Sequence, residues 1–367
     1  MTGILTGMCY NIFMYKPNFI ITPEINKLIA MIETTRQKIK DSHILPEAEI
    51  ALRYRAAIDA IYSSTTIEGN PLNKNQVEKA LAGKMPLWQR AVTEVINYKK
   101  ALDWINKRVK NKKDIDLSDI LKLHYLLANK LLPKEKVGKI RTGPVYIVDI
   151  IGKREIVKYT GPDARKVETY INNLLYWLKK NKDSLHPILA AAIVHYEFVS
   201  IHPFSDGNGR ATRLLVKLYL DLMAYDFRGA LTLDKYYLEN RMSYYKALNK
   251  AKTYRAQTKA DLTSWIEFFT RGFYQMTSSL EKSINVVNLG KDKEMIRLSD
   301  DEFQLLDYTK QFGRIKSSEV ITALRVSERT AQRILNKMIK KNLIVIKGKG
   351  KNIFYQLKTR KYYFSEK

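Results

Sequence analysis

One stretch, HPFSDGNGRATR at residues 202–213, brings together side chains able to move a proton, hold a cation and bind an anion. Gly207, Asn208 and Gly209 predict a tight turn with free backbone N–H groups, feeding a helix that starts at about Arg210. Such a turn binds anions, because N–H groups without intrahelical partners and the helix dipole both favour negative charge. Arg210, Arg213 and Lys217 follow at i, i+3 and i+7 on one face, while Leu214, Leu215, Leu218 and Leu222 can hold the other side to a core. Asp206 beside the turn would repel a phosphate unless a cation bridges them, as Mg2+ does with one or two carboxylates. His202 stands where a general base would. The combination implies phosphoryl or nucleotidyl transfer.

A second residue asks for a partner. ALRYRAAIDAIYSSTTIEG (51–69) carries Leu52, Ala56, Ala57, Ala60, Ile61 and Ile67 on roughly one helical stripe, and Gly69, Asn70 and Pro71 form a helix stop. Glu68 therefore falls at the negative end of a helix dipole, where a cation is favoured. Some positive group must face it.

These residues need elements to position them. HPILAAAIVHYEFVSI (186–201) is apolar nearly all round, which predicts a buried helix ending at His202. Helical periodicity also marks 23–40, 47–68, 74–82, 88–109, 116–130, 163–181, 209–223, 240–253 and 261–280. PVYIVDIIGKREIVKYTGP (144–162) alternates β-branched and polar residues around a Gly-Lys turn and predicts a β-hairpin, either packed over a helix or presenting an edge. The pattern loosens at 281–298, a linker. Beyond it, DDEFQLLDYTKQF, SSEVITALR and VSERTAQRILNKMIKKN predict three helices, and LIVIKGKGKNIFYQL a hairpin: a winged helix-turn-helix module over 299–367.

The chain of 367 residues has 45% hydrophobic and 28% charged residues, which fits a globular rather than a disordered protein. No apolar run approaches the roughly 20 residues that span a bilayer. MTGILTGMCYNIFMYK, at the start, has neither a basic n-region nor a small-residue cleavage site, and the true start could be Met8 or Met14. The single cysteine, Cys9, fits a cytoplasmic location. Sixty-four Lys and Arg against 37 Asp and Glu leave a net charge of +27, consistent with an anionic partner or with general lysine richness. His195 reads as a core histidine, and His43, His124 and His186 lack ligand spacing. No Cys/His cluster suggests zinc and no Ser-His-Asp arrangement is visible.

HPFSDGNGRATR resembles the Fic-domain signature HPFx[D/E]GNGRxxR at every fixed position. GKIRTGPVYI (138–147), NRMSYYKAL (240–248) and DLTSWIEFF (261–269) resemble neighbouring segments of that family, so that the likeness covers about 15–275. It implies a mainly α fold: an N-terminal helical region (1–110), and a Fic core (111–280) with the 144–162 hairpin as a flap that holds the target. It also implies an enzyme that transfers AMP from ATP to a Ser, Thr or Tyr hydroxyl of a protein and releases pyrophosphate. By that resemblance His202 takes the hydroxyl proton and Asp206 holds Mg2+. Gly207, Asn208 and Gly209 cradle phosphate, with Arg210 and Arg213 on its tail. Tyr244 and Tyr245 match a pair lining the adenine pocket, although Lys252 stands where many relatives have Asn, and core packing is an equal reading for both.

Fic proteins of one class carry the inhibitory motif [S/T]xxxE[G/N], matched here by Ser64, Glu68 and Gly69 on the helix at about 47–69. The implied partner of Glu68 is Arg213, in a pair that can be bidentate, so that the γ-phosphate loses its clamp. Removal of AMP from the modified target is a second implied activity. The partner is a protein with an accessible hydroxyl, itself included, and a homodimer fits the same reading. In the winged helix, Arg325, Arg329, Arg333, Lys337, Lys340 and Lys341, with Lys347, Lys349 and Lys351 in the wing, form a phosphate-binding footprint. Target recruitment or dimer contact is favoured for it over DNA binding. Two alternatives stand beside the adenylyltransferase: a DNA-binding regulator whose Fic-like part senses nucleotide, and a Fic transferase using another donor, such as one of UMP or phosphocholine.

Overall fold

A computed structural model describes residues 15–288 and 299–358, apart from 43, 45, 152, 153, 325, 349, 351 and 352. Cys9, His43, the Gly152-Lys153 turn, Arg325, Lys349 and Lys351 lie outside the described residues.

The fold is mainly helical, and among the described residues twelve α-helices precede the C-terminal module. They are α1 (Pro23–Asp41), α2 (Pro46–Ile67), α3 (Lys74–Leu81), α4 (Arg90–Arg108), α5 (Leu117–Ala128), α6 (Val167–Lys180), α7 (Pro187–Ile201), α8 (Asn208–Leu222), α9 (Asp234–Glu239), α10 (Arg241–Leu248), α11 (Tyr254–Gln257) and α12 (Thr263–Asn288). Local chemistry explains their starts. Thr22 caps α1 ahead of Pro23, Asn73 and Gln76 form a capping box on α3, and Asp116 and Asp119 form another on α5. Arg108 then grips Asp119 with two hydrogen bonds of 2.6 and 2.7 Å, fastening the end of α4 to the start of α5.

Helix α7 is the centre of the core. Its residues from Ile188 to Phe198 are all buried, and it packs against α6, α8 and α12. Each fully buried Leu or Ile there contributes about 1.5–3 kcal/mol, which fixes the place where the helix must stop. Trp265 on α12 donates its indole N–H to the Ala192 carbonyl at 2.7 Å, locking the two helices in register. Helix α12 continues to Asn288, so the expected linker is helical at its start, and 289–298 lie outside the described residues.

The hairpin forms as β1 (Tyr146–Ile151) and β2 (Arg154–Thr160), antiparallel with an irregularity between Ile147 and Val148. Its base is rooted: the Tyr159 hydroxyl donates to the Ser200 carbonyl at 2.5 Å, and the Thr160 N–H to the Lys252 carbonyl at 2.9 Å. Tyr146, Val148, Ile156 and Val157 are exposed, and the sheet has no third strand among the described residues. It presents edges and apolar side chains outward.

After residue 298 come α13 (Asp300–Phe312), α14 (Ser317–Leu324) and α15 (Glu328–Lys340), then β3 (Ile344–Lys347) and β4 (Phe354–Leu357). Tyr355 of β4 exchanges backbone hydrogen bonds of 2.8 and 2.9 Å with Ile315 before α14, giving the hairpin a third member. This module has its own core, of Leu305, Leu306, Val320, Leu335 and Met338, and Ile50 of α2 is buried within it. Helix α13 packs against α2, so the second core is completed by a residue from the N-terminal region. No described helix is long and apolar enough to cross a membrane.

Replacing Ile50 by Ala leaves a cavity in that small core and is expected to destabilise the C-terminal module by about 2–4 kcal/mol. Differential scanning calorimetry should show an earlier module transition, with the α7-centred transition little moved. A scan superimposing on that of the parent protein contradicts this packing.

Candidate active site

The site begins where α7 ends. His202 caps that helix in the left-handed region (φ 51°, ψ 61°), which turns the chain sharply while its ring stays against the helix. The ring Nδ1 lies 2.9 Å from the Val199 carbonyl, which can only accept, so Nδ1 carries the proton and Nε2 keeps a free lone pair. Burial lowers the His202 pKa from the ordinary value, outweighing the Val199 carbonyl and Glu68, which raise it. The imidazole is therefore neutral near pH 7, with the basic nitrogen fixed. Arg141 braces the turn from behind: its guanidinium donates to the carbonyls of His202 at 2.8 Å, Gly143 at 2.7 Å and Pro162 at 2.7 Å. It thereby ties both roots of the flap to the histidine.

The next residues form a clipped loop. The Asn208 side chain accepts from the Phe204 N–H and donates to the Phe204 carbonyl, both at 2.8 Å. With Gly207 at φ 79°, this starts α8 at Asn208, two residues before the expected Arg210. The Asn208 side chain is thereby committed to the loop, and its backbone N–H joins those of the first turn of α8. Gly207 gives α8 no side-chain cap, so the N–H groups of its first turn lack intrahelical partners. His124 on α5 stacks on Phe204 with centroids 3.8 Å apart. The Gly138 N–H donates to its Nδ1 at 3.1 Å, so Nε2 must carry the proton it gives to the Asp206 carbonyl at 3.2 Å. Burial takes this histidine down to about 4, and it stays neutral. Its role is to hold the loop. Lack of ligand spacing hid it in the sequence, although its place beside apolar Leu123 and Leu127 marks it as inward-facing.

Asp206 leaves its carboxylate 44% exposed at the mouth. The Gly207 N–H donates to Oδ1 at 2.5 Å, and the guanidinium groups of Arg90 and Arg210 approach at 3.4 and 3.6 Å. Among the described residues no group of three or more His, Cys, Asp or Glu could form a protein-only metal cage. One open carboxylate next to an anion site instead suits a cation that brings phosphate and water ligands with it.

Arg213 is the most enclosed cation of the site, with its side chain 2% exposed. Nε donates to the Ser64 hydroxyl at 2.7 Å, and Nη2 to the Ser64 carbonyl at 3.0 Å and to Glu68 Oε1 at 2.8 Å. Asp234 stands 3.3 Å from Nε and also receives the Tyr98 hydroxyl at 3.2 Å. Burial alone would favour loss of the Arg213 proton, but Glu68, Tyr244 and Asp234 outweigh it and raise its pKa. The Glu68 contact is a single hydrogen bond rather than a bidentate fork, because Ser64 takes up much of the guanidinium. Lys217 does not join the site; it pairs with Asp221 at 2.9 Å on its own helix.

The Glu68 carboxylate also lies directly against Gly209, and a Cβ there would collide with it. Only glycine leaves that room. Glu68 is at the unfavourable end of α2 but at the favourable, N-terminal end of α8, so the second dipole reverses the first. Gly69, at φ 91°, makes the turn, and Asn70 locks it through hydrogen bonds to the Ala91 carbonyl at 3.0 Å and to Glu94 at 2.8 Å.

The two tyrosines separate. Tyr244 is buried, with its hydroxyl 3.0 Å from His195 Nε2 and its ring stacked on Tyr237. Tyr245 is 37% exposed, beneath the Arg241 guanidinium, so that only this member of the pair offers a ring face. His195, between Tyr237, Tyr244 and Trp265, sits in the core as the apolar helix predicts.

Residues 114–220 match the family model of the Fic/DOC family. Over 238 residues the chain is 28% identical to the protein adenylyltransferase Fic of Nematostella vectensis, covering 64% of this chain and 51% of that protein. Over 211 residues it is 32% identical to the protein of the same name in Drosophila grimshawi, covering 55% and 41%. The chain thus spans about half, or less, of the length of these relatives. The crystal structure of a Fic family protein from Desulfovibrio desulfuricans G20 is similar over 95% of this chain and 100% of that one, at 26% identity and a TM-score of 0.60. Caenorhabditis elegans Fic-1, at 24% identity and a TM-score of 0.56, shares the fold. The site described above, from the α5 histidine to the α8 arginines, therefore lies within a domain of the Fic/DOC family.

Proposed function

We propose that this protein is a protein adenylyltransferase that transfers AMP from ATP to a hydroxyl of a protein, held off at rest by Glu68. The observation that carries the reading is a neutral His202 with a free Nε2 beside an uncapped α8 N-terminus flanked by Asp206, Arg210 and Arg213. Polyphosphate fits that terminus, because N–H groups and arginines converge there. A target hydroxyl presented by the flap gives its proton to Nε2 as its oxygen attacks the α-phosphorus. The bond from that phosphorus to the bridging oxygen breaks, and pyrophosphate leaves. Asp206 would hold Mg2+, which supplies charge neutralisation on the phosphates when bound. Exposed β1 and β2 edges suit an extended target segment paired through its main chain. Of the two tyrosines, Tyr245 fits contact with the base, because its ring is the exposed one. The complete geometry around His202 supports an enzyme over a mere nucleotide sensor, which would need no general base.

Glu68 supports the inhibited state in two ways: it takes up Nη2 of Arg213, and it fills the space over Gly209. The three helices and hairpin after residue 298 fit a winged-helix module for recruiting targets or a second copy.

Two outcomes follow. A hydrogen bond to a charged group contributes about 1.5–3 kcal/mol, so Glu68→Gly should raise AMP transfer from α-labelled ATP by roughly ten- to a hundredfold. Adding His202→Ala should abolish the signal; a Glu68→Gly variant as silent as the parent contradicts the proposal. The second outcome concerns pH. A base works when deprotonated, and the His202 pKa lies below the ordinary histidine value of about 6.5. The acid limb of kcat/KM in the Glu68→Gly variant, which reads the free enzyme, should therefore fall below pH 6.5, with the value flat just above it. An acid limb centred above pH 7 would exclude this histidine, in this environment, as the base.

A further inference from the structure

Arg90 opens α4 at the mouth of the site, after Gln89, which gives the helix no side-chain cap. Its guanidinium is suspended between three acceptors. Nη1 donates to the Leu131 carbonyl at 3.2 Å, Nε lies 3.3 Å from Glu94 Oε1, and Nη2 lies 3.4 Å from Asp206 Oδ2. The side chain is 59% exposed, whereas Glu94 is largely buried and fixed from behind by Asn70. Arg210, the other cation near Asp206, is buried and stands between Asp206 at 3.6 Å and Glu94 at 3.8 Å. Arg210 is anchored on the rigid α8, while Arg90 reaches Asp206 on a long solvent-facing stem.

Asp206 faces two kinds of cation at one place. A divalent ion on its carboxylate and a guanidinium against the same oxygen repel each other, so that one must give way. Arg90 is the one with freedom to move. Its stem keeps it near the α8 N-terminus, where the new negative charge arrives with the nucleotide. We infer that Arg90 is a stand-in cation for Asp206, neutralising the carboxylate while no divalent ion is present and moving to the polyphosphate when nucleotide and metal load. It would then contact substrate at the tail, alongside Arg210 and Arg213. The inference rests on the proposed reading of Asp206 as the metal carboxylate.

The two halves of this role have opposite signs, which a merely structural residue cannot produce. Without Arg90, Asp206 is more open to a divalent ion, but the loaded nucleotide has lost a cation. Exposed ion pairs of this kind shift equilibria about two- to fivefold. The test uses the full chain with Glu68→Gly, with and without Arg90→Ala. Mn2+ binding to nucleotide-free protein is read from the free-ion electron paramagnetic resonance signal, and α,β-methylene-ATP binding in saturating Mn2+ by calorimetry. Arg90→Ala should tighten Mn2+ alone about two- to fivefold and weaken the nucleotide analogue by a similar factor, with Arg90→Lys restoring both toward the parent values. Both affinities falling together, both unchanged, or Mn2+ binding detected in neither protein overturns the inference. If the Glu68→Gly parent binds no nucleotide analogue, the proposed function itself fails and takes this role with it; intact analogue binding without the opposed shifts removes only the role of Arg90.

Discussion

The structure is organised around a buried guanidinium. Arg213 is removed from water, and such a charge persists only if its donors and its charge are both answered nearby. Three elements converge to do this: α2 brings Ser64 and Glu68, the start of α9 brings Asp234, and α4 brings Tyr98 to hold Asp234 in place. Removing one partner leaves a buried charge short of its counter-charge, a far larger cost than losing an exposed ion pair. The position of α2 against the core is thus set by electrostatics as much as by its apolar stripe. Glu68 differs from the other partners because it lies at the rim, with its side chain 32% exposed; in the proposed function a phosphate takes its place.

Around this centre, side chains that bind the backbone do the positioning, and the carboxylate of Asp206 faces the opening. His124, Asn208 and Arg141 all act on backbone carbonyls or N–H groups, fixing the loop from 202 to 208 without entering the cleft. His202 uses one nitrogen for the same purpose and leaves the other with a free lone pair. The rigidity of α7 underlies both, since a helix buried on all sides cannot shift its C-terminal residue without disturbing the core.

What could be read from the sequence was what is local. The turn and helix at 202–213 form from consecutive residues, so their types and order disclose the uncapped helix start and its neighbours. Helix α8 begins earlier than expected because Asn208 closes the loop on Phe204, a contact that spacing does not announce. The Glu68 partner came from family resemblance; dipole reasoning alone showed only that a cation was required. Helices α9 and α11 went unread because each is too short for a periodic stripe, although Tyr236, Tyr237 and Tyr254 are buried. Arg141 and His124 act through carbonyls distant in sequence and chosen by the fold. Tyr244 and Tyr245, adjacent and identical in type, differ only in which way α10 turns them.

Helix α2 is held at both ends by different bodies. Its last turn meets Arg213, and near its first turn Ile50 is shared with the C-terminal core. The natural seam of the molecule therefore does not run where the chain crosses from α12 to α13. It passes through α2 itself, so a fragment cut after α12 would bare Ile50 on the very helix that leads to the Arg213 contact. The C-terminal module, distant from Arg213 in sequence, is in mechanical terms a bearing for the helix that meets it.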